Sequence, residues 1–282
     1  MGLTPFVANM KLNELNKLTE PLSASETMPV LFVGHGNPMN AIEQNDYVHA
    51  WQQLGKTLPR PNAILCISAH WETKGTFVTA MEKPKTIHDF YGFPKALFDV
   101  EYPAAGSAEL AKETKQSITK TPVGFDYEWG LDHGSWSVLK HIYPDADVPV
   151  IEMSMDYTQG PQWHFDLAKE LAVLRNKGVL IIGSGNMVHN LRAVDFNKAG
   201  GFDWAMEAND IFKKLINGGD NKSLINYGAL GKAVQMAVPT PDHYLPLLYT
   251  LGVTGAGEKI SLFNDKADVG SITMTSLKFE KN

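Results

Sequence analysis

Hydrophobic residues along this chain gather in short unbroken runs. PVLFV at 29–33, AILCIS at 63–68, VPVIEM at 148–153 and VLIIG at 179–183 place apolar side chains at consecutive positions. A strand with one wet face alternates apolar and polar residues, whereas consecutive apolar positions suit strands covered on both faces. Between these runs the pattern shifts to helical spacing. Helices are expected over Tyr47–Leu54, Ala108–Thr119, Ser135–His141, Trp163–Asn176, Phe202–Leu215 and Asn221–Tyr227. Gly178 is the expected stop of the fourth. Asn9–Leu18 has the pattern of a short amphipathic helix. His243–Leu251 has that of a short helix whose first NH groups are partly capped by Asp242. Trp71–Met81 reads as a strand continuing after His70, and Lys259–Phe279 alternates well enough for one or two strands.

The stretch PKTIHDFYGFPKALFDVEYPAAGS at 84–107 fits neither pattern. It is too apolar for a linker, so it reads as a long ordered loop with a short helical turn, suited to form a pocket wall. Strands alternating with helices predict an α/β fold. The expectation is a single domain with a central, mostly parallel or mixed sheet and helices on both faces. Residues 1–27 look peripheral, and no shift in composition divides 28–282.

Composition narrows the function classes. The chain has 282 residues, 44% hydrophobic and 20% charged, with a formal net charge of −6. That charge argues against a general positive field for nucleic acid. Only three arginines occur, Arg60, Arg175 and Arg192. No apolar stretch approaches the ~20 residues of a membrane span. The single cysteine, Cys66, lies inside AILCIS and reads as a buried structural thiol. An intramolecular disulfide is excluded, and with no secretory pattern at the start the expected location is the cytoplasm.

Histidines then change the picture. His35 in LFVGHGNP, His70 in ILCISAHW and His189 in VLIIGSGNMVHN lie just beyond three of the strongest strands. His243 in VPTPDHYLP is placed less cleanly. In an open α/β sheet ligands bind outside the carboxyl ends of the strands. Imidazole is a good ligand for zinc or iron, so this placement points to a metal site assembled from distant segments. The plain alternative for each is a hydrogen-bonded loop histidine. His133 in EWGLDHGSW precedes a helix, which suits a catalytic histidine beside a metal. There, Asp132 and Ser135 are equally well explained as caps. GSGN at 183–186 lacks the length and lysine of a phosphate loop, and no GxSxG or HExxH motif occurs.

Taken together in this order, GHGNPMN, SAHW, TIHDFYGFP, LDHGSW, GSGNMVHNLR and DHYLPLLY resemble the class III extradiol ring-cleavage dioxygenases, and within them the DOPA 4,5-dioxygenase (DODA-like) branch. The resemblance runs from Pro29 nearly to the end. It implies an α/β catalytic domain over 28–282 with a metal at the strand ends. It makes His35 and His70 metal ligands. His243 falls where the wider family uses a glutamate, which leaves an all-histidine set. His189 sits beside the metal, as fourth ligand or as acid/base, and His133 sits at the substrate. His88, Phe90, Trp136 and Tyr244 are candidate pocket residues.

The implied reaction cleaves a DOPA-like catechol, bound as catecholate, with O2 to give a muconic semialdehyde. Fe(II) would support it, and Zn(II) would occupy the same site. Two competitors stand beside this reading. A zinc-dependent hydrolase could use the same histidines to activate water. A metal-stabilised binding module would use them for structure alone. The expected partners are a small catechol and O2, without nucleic acid or membrane, in a monomer or small homo-oligomer.

Overall fold

A computed structural model describes residues 26–282. The helix expected at 9–18 lies outside the described residues. Six strands form the central sheet: β1 (Val30–Gly34), β2 (Ala63–Ser68), β3 (Val150–Glu152), β4 (Val179–Gly185), β5 (Lys259–Phe263) and β6 (Ser276–Glu280). Their order is β3-β2-β4-β1-β6-β5. The first four in that order are mutually parallel. β6 runs antiparallel to β1 and pairs antiparallel with β5, so the sheet is mixed.

Helices cover both faces, and the consecutive apolar runs show why. Successive side chains of a strand point to opposite faces. On β1, Val30 and Phe32 join one core with Leu167 and Leu171 of α4 (Pro161–Leu171), Phe212 of α5 (Asp203–Asn217) and Leu247 of α6 (Leu245–Val253). Leu31 and Val33 join the other, with Trp51 of α1 (Asp46–Thr57) and Trp136 and Leu139 of α3 (His133–Ile142). The helix α2 (Ala108–Ser117) packs Leu110 and Ala111 into the first core. Full burial of each such side chain contributes about 1.5–3 kcal/mol. Cys66 is a free, fully buried thiol in the second core, and burial pushes its pKa up.

Two expectations need correction. Trp71–Met81 does not extend β2. It forms two short strands, Glu72–Thr73 and Thr76–Thr79, which pair away from the main sheet with Met155–Asp156 and Val123–Asp126. Asp242 does not cap α6. That helix starts at Leu245 with Tyr244 as N-cap and no side-chain cap, because the Asp242 carboxylate is engaged with the ring of His243. The aromatic loop holds one short helix, Lys95–Phe98, as expected. No helix among the described residues is long and apolar enough to cross a membrane.

Candidate metal centre

Because β1, β2 and β4 are parallel, their carboxyl ends share one edge of the sheet. His35 follows β1 directly, His70 follows β2 by two residues, and His189 follows β4 by four. Gly36, at φ +58°, turns the chain sharply after His35 in a conformation that favours glycine. His243 reaches the same edge from the loop before α6, where its carbonyl accepts the NH of Asn186 at 2.9 Å. His133 is the first residue of α3. Asp132 caps that helix by accepting Ser135 N at 3.3 Å and also accepts the Ser68 hydroxyl at 2.7 Å, which ties the helix start to β2.

The rings of His35, His70 and His243 form a nearly equilateral triangle, with centres 5.0, 5.1 and 5.3 Å apart. Imidazoles bound to one ion with metal–nitrogen bonds of about 2.1 Å at tetrahedral angles have ring centres about 5.2 Å apart. The Nε2 atoms of His35 and His70 face each other at 3.1 Å. Two nitrogens at that distance share either a proton or a cation.

Neighbouring groups decide which nitrogen carries the proton. Ser184 donates its hydroxyl to the Gly134 carbonyl, so it accepts from His35 Nδ1 at 2.9 Å. The carboxylate Oδ2 of Asp89 lies 3.3 Å from His70 Nδ1, and the Asp242 carboxylate accepts from His243 Nδ1. The Nδ1 of His35 and of His243 is thereby the protonated nitrogen and the Nε2 of each keeps a lone pair, while His70 turns its Nε2 toward that of His35. Three rings arranged in this way fit a metal ion. Electrostatics agree. Burial, followed by the neighbouring imidazoles, holds the pKa of His35 and of His70 well below the ordinary histidine value. Burial raises Asp242, but the hydrogen bond and charge of His243 outweigh it and hold the carboxyl below its usual range.

Two further histidines complete the wall. The His133 ring centre is 4.0 Å from that of His70, and its Nδ1 lies 2.9 Å from Asp89 Oδ2. Asp89 Oδ1 accepts the His133 backbone NH at 2.9 Å, so one carboxylate braces both rings. His189 stacks face to face on His243 at 3.5 Å, with planes 8° apart. Its ring makes no hydrogen bond among the described residues. Proximity alone groups the ring nitrogens of His35 and His70 with His133, and those of His189 and His243 with Asp242. The ring triangle joins the two groups, because the His243 ring centre lies 5.3 and 5.1 Å from those of His35 and His70.

A cavity of about 340 Å³ opens from these five histidines. Phe90 lines it. His88, Trp136 and Tyr244 do not, which corrects three pocket assignments. His88 Nε2 contacts the Val100 carbonyl at 2.9 Å, and its ring packs on Phe90 and Trp136. Trp136 is fully buried and donates its indole NH to the Ile87 carbonyl. Tyr244 is fully buried, bonds the Leu224 carbonyl and packs against Phe212 and Tyr227. Each is an aromatic whose polar tip meets a backbone carbonyl instead of the cavity. Asp89 and Ser184 went unrecognised as site residues. The signal for Asp89 was a carboxylate inside the aromatic loop already singled out as a pocket wall.

Comparison with known proteins completes the description. A family model described as "Catalytic LigB subunit of aromatic ring-opening dioxygenase" matches residues 28–274. A protein named 4,5-DOPA dioxygenase extradiol from Escherichia coli (strain K12) is 45% identical over 262 residues, covering 91% of this chain and 96% of that relative. One of the same name from Beta vulgaris is 33% identical over 255 residues, covering 88% and 95%. The crystal structure of an uncharacterized protein from Escherichia coli K12 matches with a TM-score of 0.76 at 41% identity, covering 89% of this chain and 99% of the other. Since the matched span carries all five clustered histidines, the chain belongs to the family of the catalytic LigB subunit of aromatic ring-opening dioxygenases.

Proposed function

We propose that this extradiol dioxygenase opens the ring of a DOPA-like catechol with O2 at an Fe(II) ion held by His35, His70 and His243, giving a muconic semialdehyde. The observation that carries the ligand set is the triangle of the three rings, with the Nδ1 of His35 and of His243 held by Ser184 and Asp242 and the Nε2 atoms of His35 and His70 3.1 Å apart. The names of the E. coli and Beta vulgaris relatives support a DOPA-like substrate. When bound, the metal would lower the pKa of the catechol hydroxyls and pass electrons from the ring to O2. Zn(II) suits the same donors but has no redox chemistry, so it would bind as a silent competitor. The family match removes the main support for a zinc hydrolase and for a binding module. The catalytic unit is 28–282.

In this reading His189 is the base. Burial, then the neighbouring His243, pushes its pKa down to about 3, so the ring is neutral at physiological pH, and the negative charge of a bound catecholate beside it would raise that value and let the ring hold the proton. Stacking on His243 holds it over the ligand triangle without using either of its nitrogens. His133 is the second acid/base residue. Its Nδ1 lies 2.9 Å from Asp89 Oδ2 and its ring lines the cavity, where it takes one catechol proton on Nε2 and returns that proton during ring opening. Phe90 packs against His133 with ring centres 5.6 Å apart and offers an apolar wall to the catechol.

The test is anaerobic reconstitution of metal-free protein with Fe(II) or with Zn(II), followed by oxygen and a catechol. Fe(II) protein is expected to consume one O2 per catechol and develop the yellow semialdehyde absorbance, and Zn(II) protein to do neither. Equal turnover with zinc would refute the Fe(II) assignment.

A further inference from the structure

The cavity has a second end. Its floor is buried, with His35, His133 and His243 at 2%, 5% and 8% exposure, while Tyr91 and Phe196 at its mouth are 91% and 83% exposed. Asp268 lines the cavity and is half-buried. Strand pairing fixes its place. The short strand Ala267–Asp268 pairs antiparallel with Ile272–Thr273, setting Asp268 opposite Ile272, and Ile272 is bridged in turn to His189. Directly opposed residues project to the same face. Asp268, Ile272 and His189 therefore all line the cavity, and two ladder spacings set the Asp268 backbone about 10 Å from that of His189.

The turn carrying Asp268 is firmly held. The carbonyls of Val269 and Gly270 accept the NH groups of Asp195 and Phe202 at 3.0 and 2.7 Å. Val269 sits at φ +44°, a costly position for a β-branched residue that surrounding bonds must maintain. Asp268 Oδ1 accepts the Val269 NH at 2.9 Å, while Oδ2 makes no hydrogen bond among the described residues.

Charge in the cavity is one-sided. No lysine or arginine lines it among the described residues, and its other carboxylate, Asp89, is engaged with His70 and His133. Away from the histidine floor, a substrate carboxylate would lose water without gaining a lysine or arginine, whereas an ammonium would find one open carboxylate oxygen. Resting on the extradiol reading, we propose that Asp268 is a specificity residue that pairs with an ammonium on the substrate side chain. The cavity then favours catechols with an aminoalkyl substituent over catechols whose side chain ends in a carboxylate alone. A two-carbon side chain would carry the ammonium from a catechol at the histidines toward Asp268.

Binding to the Zn(II)-loaded protein under argon separates this proposal from turnover. Calorimetry with dopamine, ethylcatechol and dihydrocaffeate keeps the catechol and a two-carbon chain and changes the terminal group from an ammonium to none to a carboxylate. Dopamine is expected to bind roughly tenfold or more tightly than dihydrocaffeate. Asp268→Asn should weaken dopamine about tenfold, leave ethylcatechol unchanged and tighten dihydrocaffeate. Absence of dopamine binding, equal affinity for dopamine and dihydrocaffeate, or an equal loss for all three ligands in the variant would each overturn the assignment. Turnover of uncharged ethylcatechol by the Fe(II) protein tests the extradiol reading by itself. Absence of turnover with both ethylcatechol and dopamine would sink that reading while leaving charge discrimination in the binding data intact.

Discussion

At the residue scale, the Asp89 carboxylate is the group on which most of the site geometry converges. It takes the backbone NH of His133, lies beside the Nδ1 of both His133 and His70, and occupies the loop that walls the cavity. Burial raises its pKa, but the hydrogen bond and charge of His133 outweigh this and hold it below the ordinary aspartate value. Asn at this position keeps the shape but exchanges an accepting oxygen for an NH2 that cannot accept from an imidazole NH. Asp89→Asn should therefore lower kcat about 10–100-fold and weaken metal binding while the protein stays folded. Separate assays of turnover, metal content and circular dichroism check this, and full activity would remove Asp89 from the account. His35, His70 and His189 were legible because they stand just beyond apolar runs. Asp89 was not singled out, because its place in the aromatic loop marks a pocket wall but not its partner His133, 44 positions away. Trp136 and Tyr244 were misplaced because an aromatic with a polar tip suits a pocket and a satisfied core equally well.

At the element scale, β4 and α6 show how the sheet edge is shaped for a metal. The GSG at the end of β4 is no phosphate loop. A Cβ at Gly183 would meet the Pro246 carbonyl, and one at Gly185 would meet the carbonyl of His243. The two glycines let the start of α6 come down onto the strand, which brings His243 to the ring triangle. Gly185→Ala should destabilise the fold by about 1–3 kcal/mol through overpacking and reduce metal content. Gly228→Ala, where a Cβ meets nothing within 4 Å, is the control. Urea unfolding midpoints and bound metal report both effects, and a Gly185→Ala protein as stable and metal-loaded as its control would contradict the packing argument. The buried strands were legible since both faces are covered. The strand Val123–Asp126 escaped notice because Gly124 and the exposed Phe125 break any apolar run. The helix Lys232–Ala237 did too, since six residues are too few to display a period.

At the scale of the whole molecule, two cores on either side of one sheet hold the fold independently of the metal, so chelation should leave the secondary structure in place. Acid should not. His164 on α4 is fully buried with its Nδ1 2.9 Å from the Tyr249 hydroxyl on α6, and burial, partly offset by Asp156, pushes its pKa down to about 4. An unfolded chain protonates histidine near 6.5. Between 6.5 and 4 the unfolded state binds more protons, so this contribution is intact above 6.5 and is lost as pH falls toward 4, by up to roughly 3 kcal/mol. His164→Gln should flatten the decline in urea stability between pH 7 and pH 4.5, and an unchanged slope would show that another group dominates. Sheet, layers and metal edge were readable from apolar runs and histidine placement, while the bracing carboxylates emerged only once distant segments were brought together. The central claim is extradiol ring cleavage at that edge, and isotopic labelling tests it most directly. Fe(II)-loaded protein given a catechol and doubly labelled dioxygen should yield a ring-opened semialdehyde that carries both oxygen atoms, with the aldehyde trapped before it exchanges with water. Intact catechol, a product cleaved between the two hydroxyl-bearing carbons, or oxygen derived from water instead of O2 would contradict the account.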